Sequence, residues 1–212
     1  MFRIIIALCL SVLVLFGAGC DNDNGVEAKP TISSATITLR FSGPRYAGTF
    51  YPNFFPATDH AVWIEDAKGQ YVKTLGISKS VVSVGDYSHL GHLPTWTAKS
   101  GTTFEALQAE TEEGVAPSFD AVSGASVYFL GDVTDSTLVF EWDLTDKAGE
   151  RVSEGKFRFC AEVANITKDE ATSYQVNNET TCGQMDLKEQ STTLADPTQH
   201  ILELSAEYRY AE

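Results

Sequence analysis

A chain of 212 residues with a formal net charge of −14 at pH 7 has the length for one domain with a real core. So acidic a surface is repelled by phosphate backbones and by anionic lipid, which excludes nucleic acid as a partner and electrostatic adhesion to membranes. The cysteines contain no Cys-x-x-Cys pair, which removes the commonest dithiol redox signature.

From the N-terminus, Arg3 supplies a positive start, Ile4 to Phe16 carries no charge, and Gly17, Ala18 and Gly19 are small. This pattern marks residues 1–19 as an export signal, and its apolar run is shorter than the roughly 20 residues of a transmembrane helix. Leu15 to Cys20 resembles a lipobox, with Gly17 where Leu is more usual. Cys20 is then the lipidation site of a lipoprotein anchored in the cell envelope and facing the periplasm; the alternative is an ordinary signal peptide with a coincidental cysteine. Asp21 resembles the inner-membrane retention signal of enteric bacteria, which places the anchor in the inner membrane if that rule applies. Processing removes one cation, Arg3, and no acid, so the mature net charge is −15. Residues 20–34 are polar and aperiodic and read as a flexible tether. Their Asp-x-Asp-x-Gly start lacks the downstream Glu of a calcium loop.

Residues 35–212 read as a single domain. Period-two runs dominate it. Thr36 to Ser42 places Ile37, Leu39 and Phe41 on one face, and Thr137 to Asp143 does the same with Leu138, Phe140 and Trp142. Lys156 to Val163 puts Phe157, Phe159, Ala161 and Val163 inward and Arg158, Cys160 and Glu162 outward. The last run, Ile201 to Tyr210, buries Leu202, Leu204, Ala206, Tyr208 and Tyr210. Ala61 to Asp66 and Tyr71 to Leu75 flank Ala67-Lys68-Gly69, a hairpin signal. Half-apolar faces of this kind predict an all-β sandwich of immunoglobulin-like type. Residues 83–116 break the alternation: Leu90, Leu93, Trp96, Phe104 and Leu107 recur at helix-like spacing, and Thr102-Thr103 is placed to cap a short helix. They form a partly helical insertion, which is either functional or a lid over one end of the core.

Two segments look alike: Val62 to Leu75 around Gly69, and Phe140 to Phe159 around Asp146 and Gly149. The second resembles hairpins of immunoglobulin-like modules of the flagellar hook-capping type. Cys160 and Cys182, in an exported chain, predict a disulfide that closes a loop of about 22 residues and ties the sheet's outside to the loop that follows. The rival reading is a redox-active pair. His89-x-x-His92 has a spacing that points two imidazoles at one metal, yet no Cys, Asp or Glu nearby in sequence completes a set. The expectation is therefore no metal and a structural or solvent-facing histidine pair. Phosphate loops, nucleophile elbows and His-Glu-x-x-His are absent, so a hydrolase has no supporting triad.

Asp120-Ala121-Val122-Ser123-Gly124-Ala125-Ser126 resembles the acceptor sequence of covalent flavin attachment, Asp-x-x-Ser/Thr-Gly-Ala-Thr/Ser. There a membrane-associated flavin transferase moves FMN from FAD onto the final hydroxyl, here that of Ser126. Gly124 and Ala125 are small and let an enzyme approach the backbone, Ser123 fills the motif's Ser/Thr position, and Asp120 serves recognition of the site or its metal during attachment. The bland reading is a Ser/Gly turn leading into a strand. The Val62 to Leu75 hairpin, a Trp-containing middle segment, the Asp120 to Ser126 stretch and the closing strands to Val163 together resemble the DUF2271 family of exported bacterial proteins. Residues from Asn165 onward look like an extension. The resemblance implies an extracytoplasmic flavoprotein that relays electrons to or from a membrane redox protein of PepSY type, a carrier and not an enzyme with its own substrate. Trp63, Trp96 and Tyr128 are candidate aromatics against the flavin, or plain core. The alternative function is a cofactor-free binding or assembly scaffold.

Overall fold

The computed structural model describes residues 29–44, 57–82, 89–106, 135–168 and 174–211. Among these, alternation produces eight strands in two antiparallel sheets. They are β1 (Ile32–Ser42), β2 (Ala57–Asp66), β3 (Tyr71–Ile77), β4 (Asp135–Trp142), β5 (Lys156–Lys168), β6 (Tyr174–Asp186), β7 (Ser191–Thr193) and β8 (Ile201–Tyr210). One sheet has the order β4-β1-β8 and the other β3-β2-β5-β6-β7. The predicted inward faces meet between the sheets. Ile37, Leu39 and Phe41 of β1 are fully buried against Val62, Ile64, Phe159 and Ala161 of the opposite sheet. In the small sheet Ile37 lies opposite both Phe140 and Ala206, so apolar residues line up across three strands. The chain is an all-β sandwich with a small helical insertion.

Several sequence readings need correction. β1 starts at Ile32, which is buried, so Ile32 to Ser34 belong to the sheet and not to the tether. Ile201 is buried together with Leu204, and Leu202 only half-buried, because a register shift between Arg40 and Phe41 moves the start of β8 out of simple alternation; Tyr210, at the other end of the strand, is exposed. The segment around Asp146 and Gly149 is no hairpin of the second pair: β4 and β5 lie in different sheets. Its turn nevertheless copies the β2–β3 turn. Asp66 accepts the N–H groups of Lys68 and Gln70, and Asp146 those of Ala148 and Glu150, with Gly69 at φ +76° and Gly149 at φ +80°. After the second turn only Thr145 and Arg151 pair, and Val152 to Gly155 carry the chain across to the other sheet.

Cys160 and Cys182 are joined, as expected, but Cys182 lies on β6 and not in a loop. The two residues are direct register partners on the outer face, 4.1 Å apart at Cα. The closed loop of 22 residues stabilises by roughly 3 kcal/mol in the chain-entropy model. The insertion begins earlier than predicted, with α1 (Lys79–Val82), followed by a 3-10 turn (Leu90–His92) and α2 (Pro94–Ser100). Leu90, Leu93 and Trp96 are buried but divided between two elements, and Phe104 is partly exposed. Thr103 does cap the next helical turn, its hydroxyl accepting the Ala106 N–H at 3.2 Å. The described insertion covers the outer face of the large sheet, not one end of the sandwich, and builds a second core there with Ala61, Trp63, Ile77 and Cys160.

Gly183 shows how tightly the sandwich closes. A Cβ there would lie 2.1 Å from Cζ of Phe159 and 2.7 Å from the Thr193 carbonyl oxygen, and the backbone contact has no rotamer to yield. Gly183→Ala is expected to lose roughly 1–3 kcal/mol while keeping the sheet signature. Chemical denaturation followed by circular dichroism measures this, and a variant as stable as the parent would contradict the packing.

Candidate functional site: a buried acidic row beneath the insertion

Odd-numbered residues of β2 and even-numbered residues of β5 share the outer face of the large sheet. The register sets Asp59 beside Ala164, Ala61 beside Glu162, Trp63 beside Cys160 and Glu65 beside Arg158. Alternation alone would send the acids to water. The insertion covers them instead, and Asp59, Glu65 and Glu162 are all at most 1% exposed. A buried carboxylate is tolerated only with donors or a counter-charge, and each of the three is matched differently.

Glu162 lies under the start of α2. Its carboxylate accepts the N–H groups of Thr95 at 3.1 Å and Trp96 at 2.7 Å, and the side-chain amide of Asn178 at 3.0 Å. It thus satisfies first-turn amides that the helix cannot pair itself. Glu65 takes the Trp63 indole N–H at 3.0 Å, Lys99 at 3.0 Å and Arg158 at 2.9 Å. Trp96 donates its indole N–H to Thr74 at 3.0 Å.

Asp59 occupies the end of the row where histidines gather. Its Oδ1 accepts the Ser80 hydroxyl at 2.6 Å, and its Oδ2 lies 2.8 Å from Nδ1 of His92 and 3.8 Å from Nδ1 of His89. The two imidazoles stack with centroids 4.4 Å apart and planes 29° from parallel. Nδ1 of His89 is buried and has no hydrogen-bond partner among the described residues. The neighbouring His60 points the other way, into the sandwich, with Phe41 at 5.8 Å and Phe140 at 6.3 Å between ring centroids. Ser78 Oγ accepts the His60 backbone N–H at 2.9 Å and lies 3.0 Å from its Nδ1, a contact a neutral ring can accept. Burial lowers the His60 pKa from 6.5 to about 4, with Asp59 opposing the shift.

Of the residues singled out in the sequence, the structure brings His89 and His92 together and adds Asp59, which sequence proximity missed. Asp59 comes from β2, two residues before the strand was expected to begin, and shares its face with Ala61 and Trp63. The available signal was an acid in step with Ala61 and Trp63, on a face that carries a large apolar side chain. Trp63 and Trp96 are fully buried in the second core, so neither presents a ring at the surface. Cys20, Asp120, Ser123, Gly124, Ala125, Ser126 and Tyr128 lie outside the described residues.

A family model described as "Predicted periplasmic protein (DUF2271)" matches residues 60–193, well over half of the chain. The match includes the insertion and runs through β6 to β7, so residues 166–193 are part of the family region and not an extension, while residues 194–212, with β8, lie beyond it. No curated protein and no solved structure matches the chain. Among the described residues, no helix is long and apolar enough to cross a membrane.

Two consequences follow for stability. Glu162→Ala removes the shared acceptor of two helix amides and is expected to cost roughly 2–4 kcal/mol. Limited proteolysis should then cut the insertion before the sheets unfold; unchanged resistance would remove Glu162 from its anchoring role. For His60 the sign follows from its lowered pKa. Above pH 6.5 the ring is neutral folded or unfolded, and as pH falls toward about 4 the unfolded chain gains a proton that the folded chain refuses. Stability therefore drops across that window, by on the order of 3 kcal/mol in all. Urea titrations in chelator at several pH values should show this slope, and His60→Asn should flatten it.

Proposed function

The chain belongs to the DUF2271 family of predicted periplasmic proteins, and from that premise we propose that it is a lipid-anchored electron carrier with FMN held covalently on Ser126. The acceptor-like sequence Asp120 to Ser126 carries this reading, because it falls inside the family match and ends on the hydroxyl that the chemistry requires. In the attachment step the Ser126 Oγ–phosphorus bond forms as the pyrophosphate bond of FAD breaks. AMP leaves and the hydroxyl proton is lost to the transferase's base. Small residues at Gly124 and Ala125 let an enzyme reach the backbone, and Asp120 helps the transferase recognise the site.

A phosphodiester tether fixes the flavin without a dinucleotide-binding fold, which suits a sandwich whose inner space is filled by side chains. The flavin supplies the redox chemistry and the protein supplies its position. The signal-like residues 1–19 and Cys20 place the carrier at the membrane surface, within reach of a flavin transferase and of a membrane redox protein of PepSY type. Asp21 favours the inner membrane.

Co-expression with a flavin transferase, followed by mass spectrometry, tests the reading. The peptide containing Ser126 should gain one FMN less a water, the protein should be yellow, and Ser126→Ala should abolish both. Unmodified protein beside an active transferase would leave the cofactor-free scaffold as the better account.

A further inference from the structure

We infer that Asp59, His89 and His92 form a binding site for a divalent first-row transition-metal ion of the zinc type. This inference stands apart from the flavin reading and uses none of its residues.

Three donors of suitable chemistry converge. One ring nitrogen of His89, one of His92 and a carboxylate oxygen of Asp59 all lie within 4.8 Å of one another, and it is Nδ1 of each ring that faces Oδ2 of Asp59. Zinc bonds of about 2.0–2.1 Å at tetrahedral angles set neighbouring ligand atoms roughly 3.3 Å apart. The two distances to Asp59 Oδ2, 2.8 and 3.8 Å, bracket that value, so a shift of about half an ångström in each ring brings both nitrogens to that spacing from the carboxylate oxygen.

The backbone explains the convergence. His89 precedes the 3-10 turn and His92 ends it, and the His92 N–H bonds the His89 carbonyl at 2.8 Å. With about three residues per turn, positions i and i+3 eclipse, which lays one imidazole over the other and aims the same nitrogen of each at Asp59.

Hydrogen bonding alone accounts for only part of this arrangement. The His92–Asp59 contact is a good hydrogen bond. Nδ1 of His89, by contrast, is turned to the same carboxylate at 3.8 Å, is buried, and has no hydrogen bond among the described residues. A buried nitrogen without a partner is costly, and a metal ion resolves it while holding the carboxylate's charge. Ser80 already orients Asp59 through Oδ1, leaving Oδ2 as the ligand atom, in the manner of outer-shell partners at metal sites. Two imidazoles and one carboxylate suit zinc and its neighbours and disfavour magnesium and calcium, which take oxygen ligands. Asp59 is fully buried while the side chains of His89 and His92 remain 35% and 20% exposed. The ligand atoms thus face inward while part of each ring reaches the surface, which gives an ion a route to them.

The test uses the processed full-length chain, stripped with chelator and titrated with Zn2+ in excess Mg2+, which suppresses loose binding to so acidic a surface. Calorimetry should find one Zn2+ per chain, Co2+ should give the visible absorption of a low-coordinate nitrogen and oxygen site, and Zn2+ should raise the melting temperature. His89→Ala should weaken binding by more than the roughly 10–100-fold that loss of an outer-shell partner costs. Its melting temperature in chelator should stay near that of the parent, since the lost nitrogen had no hydrogen bond to break. His89→Cys should restore stoichiometric binding, and Ser80→Ala should weaken it by roughly 10–100-fold. Absence of stoichiometric Zn2+ binding in the parent, or equal affinity in the parent and His89→Ala, would overturn the site.

Discussion

A carboxylate shut away from water must be met by donors fixed in place, and Glu162 is met by the ends of other elements. The amides of Thr95 and Trp96 and the side chain of Asn178 reach it from α2 and β6. Much of the outer face follows from that meeting. α2 has only seven residues and would not persist alone in water. Glu162 holds its first turn, and Lys99 in its last turn reaches Glu65. With both ends pinned by acids of the sheet, Trp96 lies in the second core and bonds Thr74. Thr97 then bonds the Leu90 carbonyl at 3.0 Å, which sets the 3-10 turn against α2. The stacked histidines, and so their relation to Asp59, stand at the end of this chain of dependence.

The three buried acids divide the work by the kind of partner each has. Glu65 is balanced by two cations, which makes it an electrostatic clasp between sheet and helix. Glu162 faces neutral donors only, so its worth lies in hydrogen-bond geometry. Asp59 has a hydroxyl on one oxygen and imidazole on the other, the one set of the three with exchangeable metal-binding chemistry. Removing one partner from a buried charge is far costlier than never burying it, so the insertion is locked to this register on the sheet. The disulfide strengthens the same surface, since Cys160 lies between Arg158 and Glu162 on the outward face and ties β5 to β6 beneath the second core.

Strand existence and the inner face were legible because period-two alternation is a direct image of burial on one side. Ile37, Leu39 and Phe41, or Phe157 and Phe159, admit little else. The outer face was not legible in the same way. Alternation reads Glu162 and Cys160 as outward, and outward usually means wet; whether an insertion returns to cover them depends on contacts far apart in sequence. The Asp146 turn misled for a related reason. Its residues repeat the chemistry of the Asp66 turn faithfully, but a turn specifies only the reversal of the chain, and the sheet joined afterwards is chosen by where Phe157 and Phe159 find their core. Asp59 escaped because its partners sit 30 and 33 residues away. Only the fold of β2 against the 3-10 turn makes the three neighbours.

The two chemistries proposed for this chain ask different things of the fold. An ester at Ser126 needs a hydroxyl on a segment that an enzyme can approach, and such a segment need not be built into a core. Donors for a metal must be held before the ion arrives, because each misplaced ligand costs ordering energy at binding. The insertion meets the second demand. Its first part, through Ser100, is docked by buried acids and carries the histidines. Thr103 then caps a new helical turn at Phe104 to Ala106, beyond the last contact with Glu65 and Glu162, and the acceptor segment follows. Ligands that are set on a docked base leave the proposed flavin site free of any demand on core residues. On that division Trp63 and Trp96 stay wholly within the packing, and neither proposed chemistry draws on them.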